Sequence, residues 1–145
     1  MANIIITGAS SGIGFETVLD LTANKENNVI ALARSADKLR RLHEIAKDLN
    51  FYGGQLYPAQ FDIVYDNYTD SLIPFIKSKF DKVDILINNA GALINKPFLE
   101  TSTEEFASML QTNILGHVNM IKHIVPLMSE GAHIERELML IKVKA

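Results

Sequence analysis

The stretch Thr7 to Gly14, TGASSGIG, follows directly on an apolar run, Ile4 to Ile6. Glycines at positions 8, 12 and 14 leave the backbone without Cβ atoms where a bulky anion such as a pyrophosphate would touch it. A helix opening near Gly12 would aim free N–H groups and a positive dipole at that anion. Ser10 and Ser11 add hydroxyl donors. The dipole contributes up to ~2 kcal/mol in good geometry, so several N–H bonds must share the work. The spacing is not that of a P-loop, which would need a glycine at Ile13, nor the tighter G-x-G-x-x-G. Spacing alone also fits a tight strand-to-helix turn with close packing, but the strand before and the helix after favour the nucleotide reading.

Three other places could contribute chemistry. Arg34 follows Ala33 at the end of the second apolar run. Dinucleotide folds place there either an acidic residue for the ribose hydroxyls of NAD or an arginine for a 2′-phosphate. A guanidinium pairs bidentately with phosphate, so NADP(H) is expected ahead of NAD(H). The alternative is a solvated arginine at a helix start. Asn89, Ala90 and Gly91 close the fourth apolar run and read either as a binding loop or as a strand-ending turn. Asn113, in LQTNILGHVN, is a polar amide within an apolar helix, placed for chemistry or for a structural hydrogen bond to a neighbouring strand. No metal site is expected. There is no cysteine, His43-Glu44 is followed by Lys47 where a zinc-protease motif needs histidine, and His117, His123 and His133 lack ligand spacing.

The elements that position these residues can be read from periodicity. Ile4 to Thr7 is a short buried strand, and Phe15, Val18, Leu19 and Ala23 share one face of the helix after it. Asn27 and Asn28 mark a turn before a second strand, Val29 to Ala33. Ser35 caps a helix bearing Leu39, Leu42, Ala46 and Leu49, with Asp37 in its first turn. A third strand spans Gln55 to Phe61, where Pro58 fits only at a sheet edge. The helix around Asn67 to Phe80 contains Pro74 and should start late or kink. Val83 to Ile87 is the fourth strand. Ser102 and Glu105 form a capping box opening a long helix to about Met128. This alternation predicts an α/β fold, a Rossmann-type three-layer α/β/α arrangement on a parallel sheet. Ligands then sit outside the carboxyl ends of the strands, where Gly8–Gly14 and Asn88–Gly91 converge.

With 145 residues, 48% of them hydrophobic and 21% charged, the chain has the make-up of one globular domain. A net charge of -3 supplies no basic field for nucleic acid or an anionic membrane surface, and neither partner is expected. No run approaches the ~20 apolar residues of a membrane span, and the start lacks a signal-peptide pattern, so a cytoplasmic setting is expected.

Two landmarks together resemble the short-chain dehydrogenase/reductase family. Thr7 to Gly14 fits its T-G-x-x-x-G-x-G in full, and DILINNAG, Asp84 to Gly91, is similar to its fourth strand followed by N-N-A-G. The resemblance covers residues 1 to 134. It implies that Gly8, Ser10, Ser11, Gly12, Ile13 and Gly14 hold the cofactor's pyrophosphate. It also implies that Asp62 and Ile63 lie near the adenine and that Asn89, Ala90 and Gly91 line the nicotinamide side. The activity implied is hydride transfer between NADP(H) and a small carbonyl or alcohol substrate, in a homo-oligomer joined partly by the helix over Phe106 to Met128. The family's catalysts are Asn, Ser, and Tyr and Lys in Y-x-x-x-K; Asn113 matches the asparagine. Four residues beyond Tyr52, Tyr57, Tyr65 and Tyr68 stand Leu56, Phe61, Thr69 and Leu72, so no Y-x-x-x-K exists.

From Glu135 the resemblance fails. The expectation is therefore a cofactor-binding domain over 1–134, incomplete at its C-terminal side, and a divergent tail over 135–145 whose Leu138 to Val143 could form an edge strand. The chain reads as a shortened, poorly active reductase; the alternative is a non-catalytic nucleotide-binding or interaction module.

Overall fold

A computed structural model describes residues 1–50 and 53–136. Five strands, β1 (Ala2–Thr7), β2 (Asn27–Ala33), β3 (Gln55–Gln60), β4 (Val83–Asn88) and β5 (Met128–Arg136), form one sheet in the order β3-β2-β1-β4-β5. Every neighbouring pair is parallel. The chain builds outward from β1 to β3 and then crosses to β4 on the other side of β1. That reversal, between β1 and β4, is where such sheets bind ligands.

The period of two along β1 and β2 divides the core into two layers. Ile4, Ile6, Val29 and Ala31 pack with Val18 of α1 (Gly12–Ala23) and with Leu39 and Leu42 of α2 (Ala36–Leu49). Ile5, Ile30 and Leu32 point the other way, into a layer with Ile76 of α3 (Ile73–Lys79) and with Met120 and Ile124 of α5 (His117–Ile124). Strands covered on both faces must be apolar throughout, which explains the run Ile4 to Ile6. The three-layer α/β/α arrangement expected from the alternation is the one observed.

Several local expectations also hold. Ser35 accepts a hydrogen bond from the Lys38 N–H at the start of α2. Ser102 and Glu105 form the reciprocal capping box at α4 (Thr103–Leu110), and the Lys96 ammonium also bonds to Glu105, holding its carboxyl below the usual range. Pro58 sits on β3, an edge strand, where its missing N–H removes no ladder bond from the sheet interior.

Before α3 the chain makes a wide, π-type turn over Tyr68–Leu72, closed by the Ile73 N–H on the Tyr68 carbonyl, so the helix starts late, as Pro74 implies, and the structure differs from the sequence expectations in three other places. Pro74 falls in the first turn of α3, where a missing donor costs least. The helix expected to run to Met128 contains a second wide turn, Gln111–Gly116, between α4 and α5. It leaves the α form at Ile124, passing through a tighter turn over Val125–Leu127 that holds Pro126. Leu49 is 67% exposed at the end of α2 rather than buried. Lastly, β5 occupies MSEGAHIER, which carries neither an apolar run nor strict alternation. It pairs with β4 through an irregular register between Val83 and Ile85, with Gly131 at φ +78° in the bulge. β5 extends past residue 134 to Arg136. The strand expected over Leu138 to Val143 lies outside the described residues.

Candidate cofactor cleft

At the carboxyl ends of β1, β2 and β4 the structure opens a cleft of about 410 Å³. Gly8, Ser10, Ser11, Gly12 and Ile13 form one wall, Asn89, Ala90 and Gly91 another, and Arg34, Asp62 and Ile63 the far end. Eleven of the twelve residues expected to bind cofactor thus line one space. Gly14 is the twelfth, and it is buried behind the wall.

The three glycines are needed for different reasons. Gly12 adopts φ +57°, a left-handed conformation that costs L residues energy, yet a Cβ there would meet nothing within 4 Å. It faces the open cleft. A Cβ on Gly14 would lie 2.3 Å from the Asn89 side-chain nitrogen and 2.5 Å from the Gly8 carbonyl oxygen. Gly8 combines both constraints, with φ +67° and the Ala90 Cα only 2.7 Å from a hypothetical Cβ. Gly8 and Gly14 therefore let the first loop press against the second.

Thr7 and Asn89 hold the two loops together. The Thr7 hydroxyl oxygen accepts from the backbone N–H groups of Asn89 (3.1 Å) and Ala90 (2.9 Å). The Asn89 side chain donates to the carbonyls of Thr7 (3.1 Å) and Gly8 (3.2 Å). Two motifs about eighty positions apart form one hydrogen-bonded unit. At the mouth of this unit α1 begins at Gly12 with Ser11 as N-cap, no side-chain capping bond and no acidic residue in the first turn. Its first N–H groups and positive dipole end point into the cleft uncompensated, the arrangement an anion needs. The cradle therefore fits a dinucleotide pyrophosphate: bare backbone, donors and a helix start on one wall.

Arg34 is exposed and makes no ion pair among the described residues. Its surroundings are more acidic than the sequence implied. No carboxylate ends β2, but Asp62 and Asp66 share a second recess with Arg34 and Gln60. Asp66 accepts the Asp62 N–H at 2.6 Å, and Asp62 accepts the Val64 N–H at 2.9 Å. Both carboxylates thus have backbone partners, while Lys38, one turn into α2, adds a second cation to the Arg34 side.

Asn113 does not line the cleft; its neighbour Thr112 does. The Asn113 side chain brackets the backbone of Ala92, accepting from its N–H (2.8 Å) and donating to its carbonyl (2.9 Å). This fastens the wide turn of the helix to the loop leaving β4. Sequence reading passed over Ser35, Lys38 and Thr112 in the lining, the Thr7 hydroxyl and His117. Lys38 alone carried a usable signal, a second basic residue one helical turn after Arg34. The described residues hold no cluster of potential metal ligands, and no helix of the described residues is long and apolar enough to cross a membrane.

The model of the short-chain dehydrogenase family matches residues 2–134. The chain belongs to the short-chain dehydrogenase family. Among its curated relatives are an NADPH-dependent pterin aldehyde reductase of Arabidopsis thaliana, 34% identical over 127 residues, and an NADP-dependent 3-hydroxy acid dehydrogenase of Schizosaccharomyces pombe, 32% identical over 126. Both alignments take in 86% of this chain, with 50% and 48% of the respective relatives. Among solved structures, serine dehydrogenase from Escherichia coli superposes with a TM-score of 0.78 at 28% identity, over 92% of this chain and 60% of that one. L-sorbose reductase from Gluconobacter frateurii, solved with NADPH and L-sorbose, gives 0.75 at 26%, over 88% and 47%. This short-chain dehydrogenase chain spans about half the length of the curated relatives it matches.

Proposed function

We propose that this chain is the cofactor-binding half of an NADP(H)-dependent short-chain reductase. The observation that carries the reading is the single cleft that joins the glycine loop, Arg34 and the Asn89–Gly91 loop. Gly8 to Ile13 and the start of α1 would hold the pyrophosphate, Asp62 and Ile63 the adenosine, Arg34 with Lys38 the 2′-phosphate, and Asn89 to Gly91 the nicotinamide side. Bound NADPH supplies a hydride for a small carbonyl substrate, or its oxidised form accepts one from an alcohol. Asn113 is a positioning group in this reading, because both ends of its amide are engaged with Ala92. The family's serine and Y-x-x-x-K are missing from the sequence, and general acid–base assistance is typically worth ~10²- to 10⁴-fold in rate. Turnover by this chain alone is therefore slow or nil, in a soluble cytoplasmic setting and without nucleic acid or membrane partners.

The test is fluorescence titration of wild type and Arg34→Asp with NADPH and NADH, beside NADPH consumption with a panel of aldehydes and ketones. Wild type should bind NADPH saturably and ahead of NADH. A charge-assisted phosphate pair is worth ~1.5–3 kcal/mol, so Arg34→Asp should lower the NADPH/NADH preference by roughly ten-fold or more. An unchanged preference would refute the role given to Arg34. Saturable NADPH binding without consumption supports the binding-half reading, and brisk turnover contradicts it.

A further inference from the structure

The loop that forms the nicotinamide-side wall is gripped from behind by a residue that the cofactor reading leaves without a role. His117 is the first residue of α5 and is 3% exposed. Its Nε2 lies 2.5 Å from the Ala90 carbonyl oxygen. A carbonyl oxygen can only accept, so Nε2 carries the proton and donates. The Ala90 N–H is already donated to the Thr7 hydroxyl. Ala90 is therefore pinned at both ends, by Thr7 from the sheet and by His117 from the helix, while its exposed side lines the cleft.

The wide turn at Gln111–Gly116 explains how His117 reaches it. One residue more or fewer in a helix rotates everything beyond it by about 100°. A regular α turn here would swing His117 away from β4 while keeping Asn113 on it. With the wide turn in place, Asn113 grips Ala92 and His117 grips Ala90, four residues apart on the helix and two apart on the loop. Gly116 completes the approach. A Cβ there would meet the Ile63 side chain at 2.7 Å, and Ile63 lines the other end of the cleft.

We propose that His117 is a positioning residue for the nicotinamide-side wall: its Nε2–H donated to the Ala90 carbonyl sets how well the cleft holds the nicotinamide half of the dinucleotide. The inference rests on the cofactor reading above and assigns a separate residue within it. The discriminating probe is adenosine 2′,5′-bisphosphate, which carries the adenosine and 2′-phosphate but no nicotinamide. Wild type, His117→Leu and His117→Gln would be titrated with NADPH and with the bisphosphate, by fluorescence and calorimetry. His117→Leu should weaken NADPH about five-fold, the worth of one hydrogen bond, and leave the bisphosphate unchanged. His117→Gln, which keeps a side-chain N–H of similar reach, should recover most of the loss. A merely structural histidine would instead weaken both ligands alike, or neither, and either result overturns the proposal. Should the leucine variant not fold, His117→Asn, polar but too short to reach Ala90, takes its place with the same expectations. A wild type that binds neither ligand refutes the cofactor reading itself, and this inference with it.

Discussion

Gly14→Ala is the sharpest test of the way the two loops are joined. Gly14 makes no contact with the cleft, so a residue there matters only if the packing of loop on loop matters. The added methyl would lie 2.3 Å from the Asn89 side-chain nitrogen and 2.5 Å from the Gly8 carbonyl oxygen, inside any permissible separation. Asn89 must then give up its bonds to the Thr7 and Gly8 carbonyls, or α1 must move away from β1. Overpacking of about 1–3 kcal/mol, with two hydrogen bonds at about 0.5–1.5 each, gives a loss of about 2 to 6 kcal/mol. For a domain of this size that is a fall in Tm of roughly 7 to 20 °C. The assay is thermal unfolding by circular dichroism, paired with NADPH titration of the folded variant, whose affinity should fall about ten-fold. Gly12→Ala is the control. Its Cβ meets nothing, so only the left-handed backbone at about 1–2 kcal/mol is at stake, and its melting loss should be the smaller of the two. Equal losses, or a Gly14→Ala protein that melts and binds like wild type, would refute the claim that Gly14 exists for the contact with Asn89.

Two further predictions follow from the same face of the sheet. Tyr68 is buried, donates to the Ile63 carbonyl at 2.7 Å and has its hydroxyl pKa raised well above the ordinary value, first by burial and then by Asp62 and Asp66. A folded pKa above the unfolded one means stability that is whole below pH ~10 and lost as pH rises further. Wild type and Tyr68→Phe should therefore show the same phenolate absorbance change near pH 10, while urea midpoints at pH 7 place the variant about 1 kcal/mol lower; an extra tyrosine titrating at pH 10 in folded wild type would contradict this. On the outer side of α4 and α5, Leu110, Ile114, Val118 and Val125 are each more than two-fifths exposed. If this stripe joins copies of the chain, sedimentation velocity should show an oligomer that Ile114→Glu converts to monomer, and a wild-type monomer at every concentration would dismiss the interface.

The parts of this fold legible in the sequence are those where one physical demand dominates. Ile4 to Ile6 can only be a strand buried on both faces, and Ser102 with Glu105 can only be a helix start, because a capping box satisfies orphan donors nowhere else. The glycine loop and N-N-A-G were legible for the same reason. What stayed hidden depends on tertiary partners. Nothing in MSEGAHIER reveals β5, since the β4 edge and a bulge at Gly131 make a polar segment into a strand. The wide turn at Gln111–Gly116 is equally invisible: the periodicity of Leu110 to Ile124 tolerates a one-residue slip, and what favours that slip is the fit of Asn113 and His117 to the backbone after β4. Asp66 beside Arg34 was missed because the loop after β3 folds back on itself through the Asp66–Asp62 bond, a contact between residues that local pattern treats as separate.

The proposed function separates binding from chemistry in this chain. The contacts that fasten the glycine loop to the Asn89–Gly91 loop are internal to β1, α1, β4 and the helix behind them: Thr7 to Asn89 and Ala90, Asn89 to Gly8, Gly14 against Asn89, His117 to Ala90. β1 lies at the centre of the sheet with partners on both sides, so the cradle is anchored where the sheet is most constrained. Proton transfer makes a different demand, a titratable group held within reach of the reacting oxygen, and the four tyrosines lack the lysine spacing that would tune one of them. On the proposed reading, this geometry holds a dinucleotide while contributing little to the barrier of hydride transfer. That is why affinity for NADPH and for adenosine 2′,5′-bisphosphate, rather than turnover, is the quantity in which the roles of Gly14, Arg34 and His117 can be told apart.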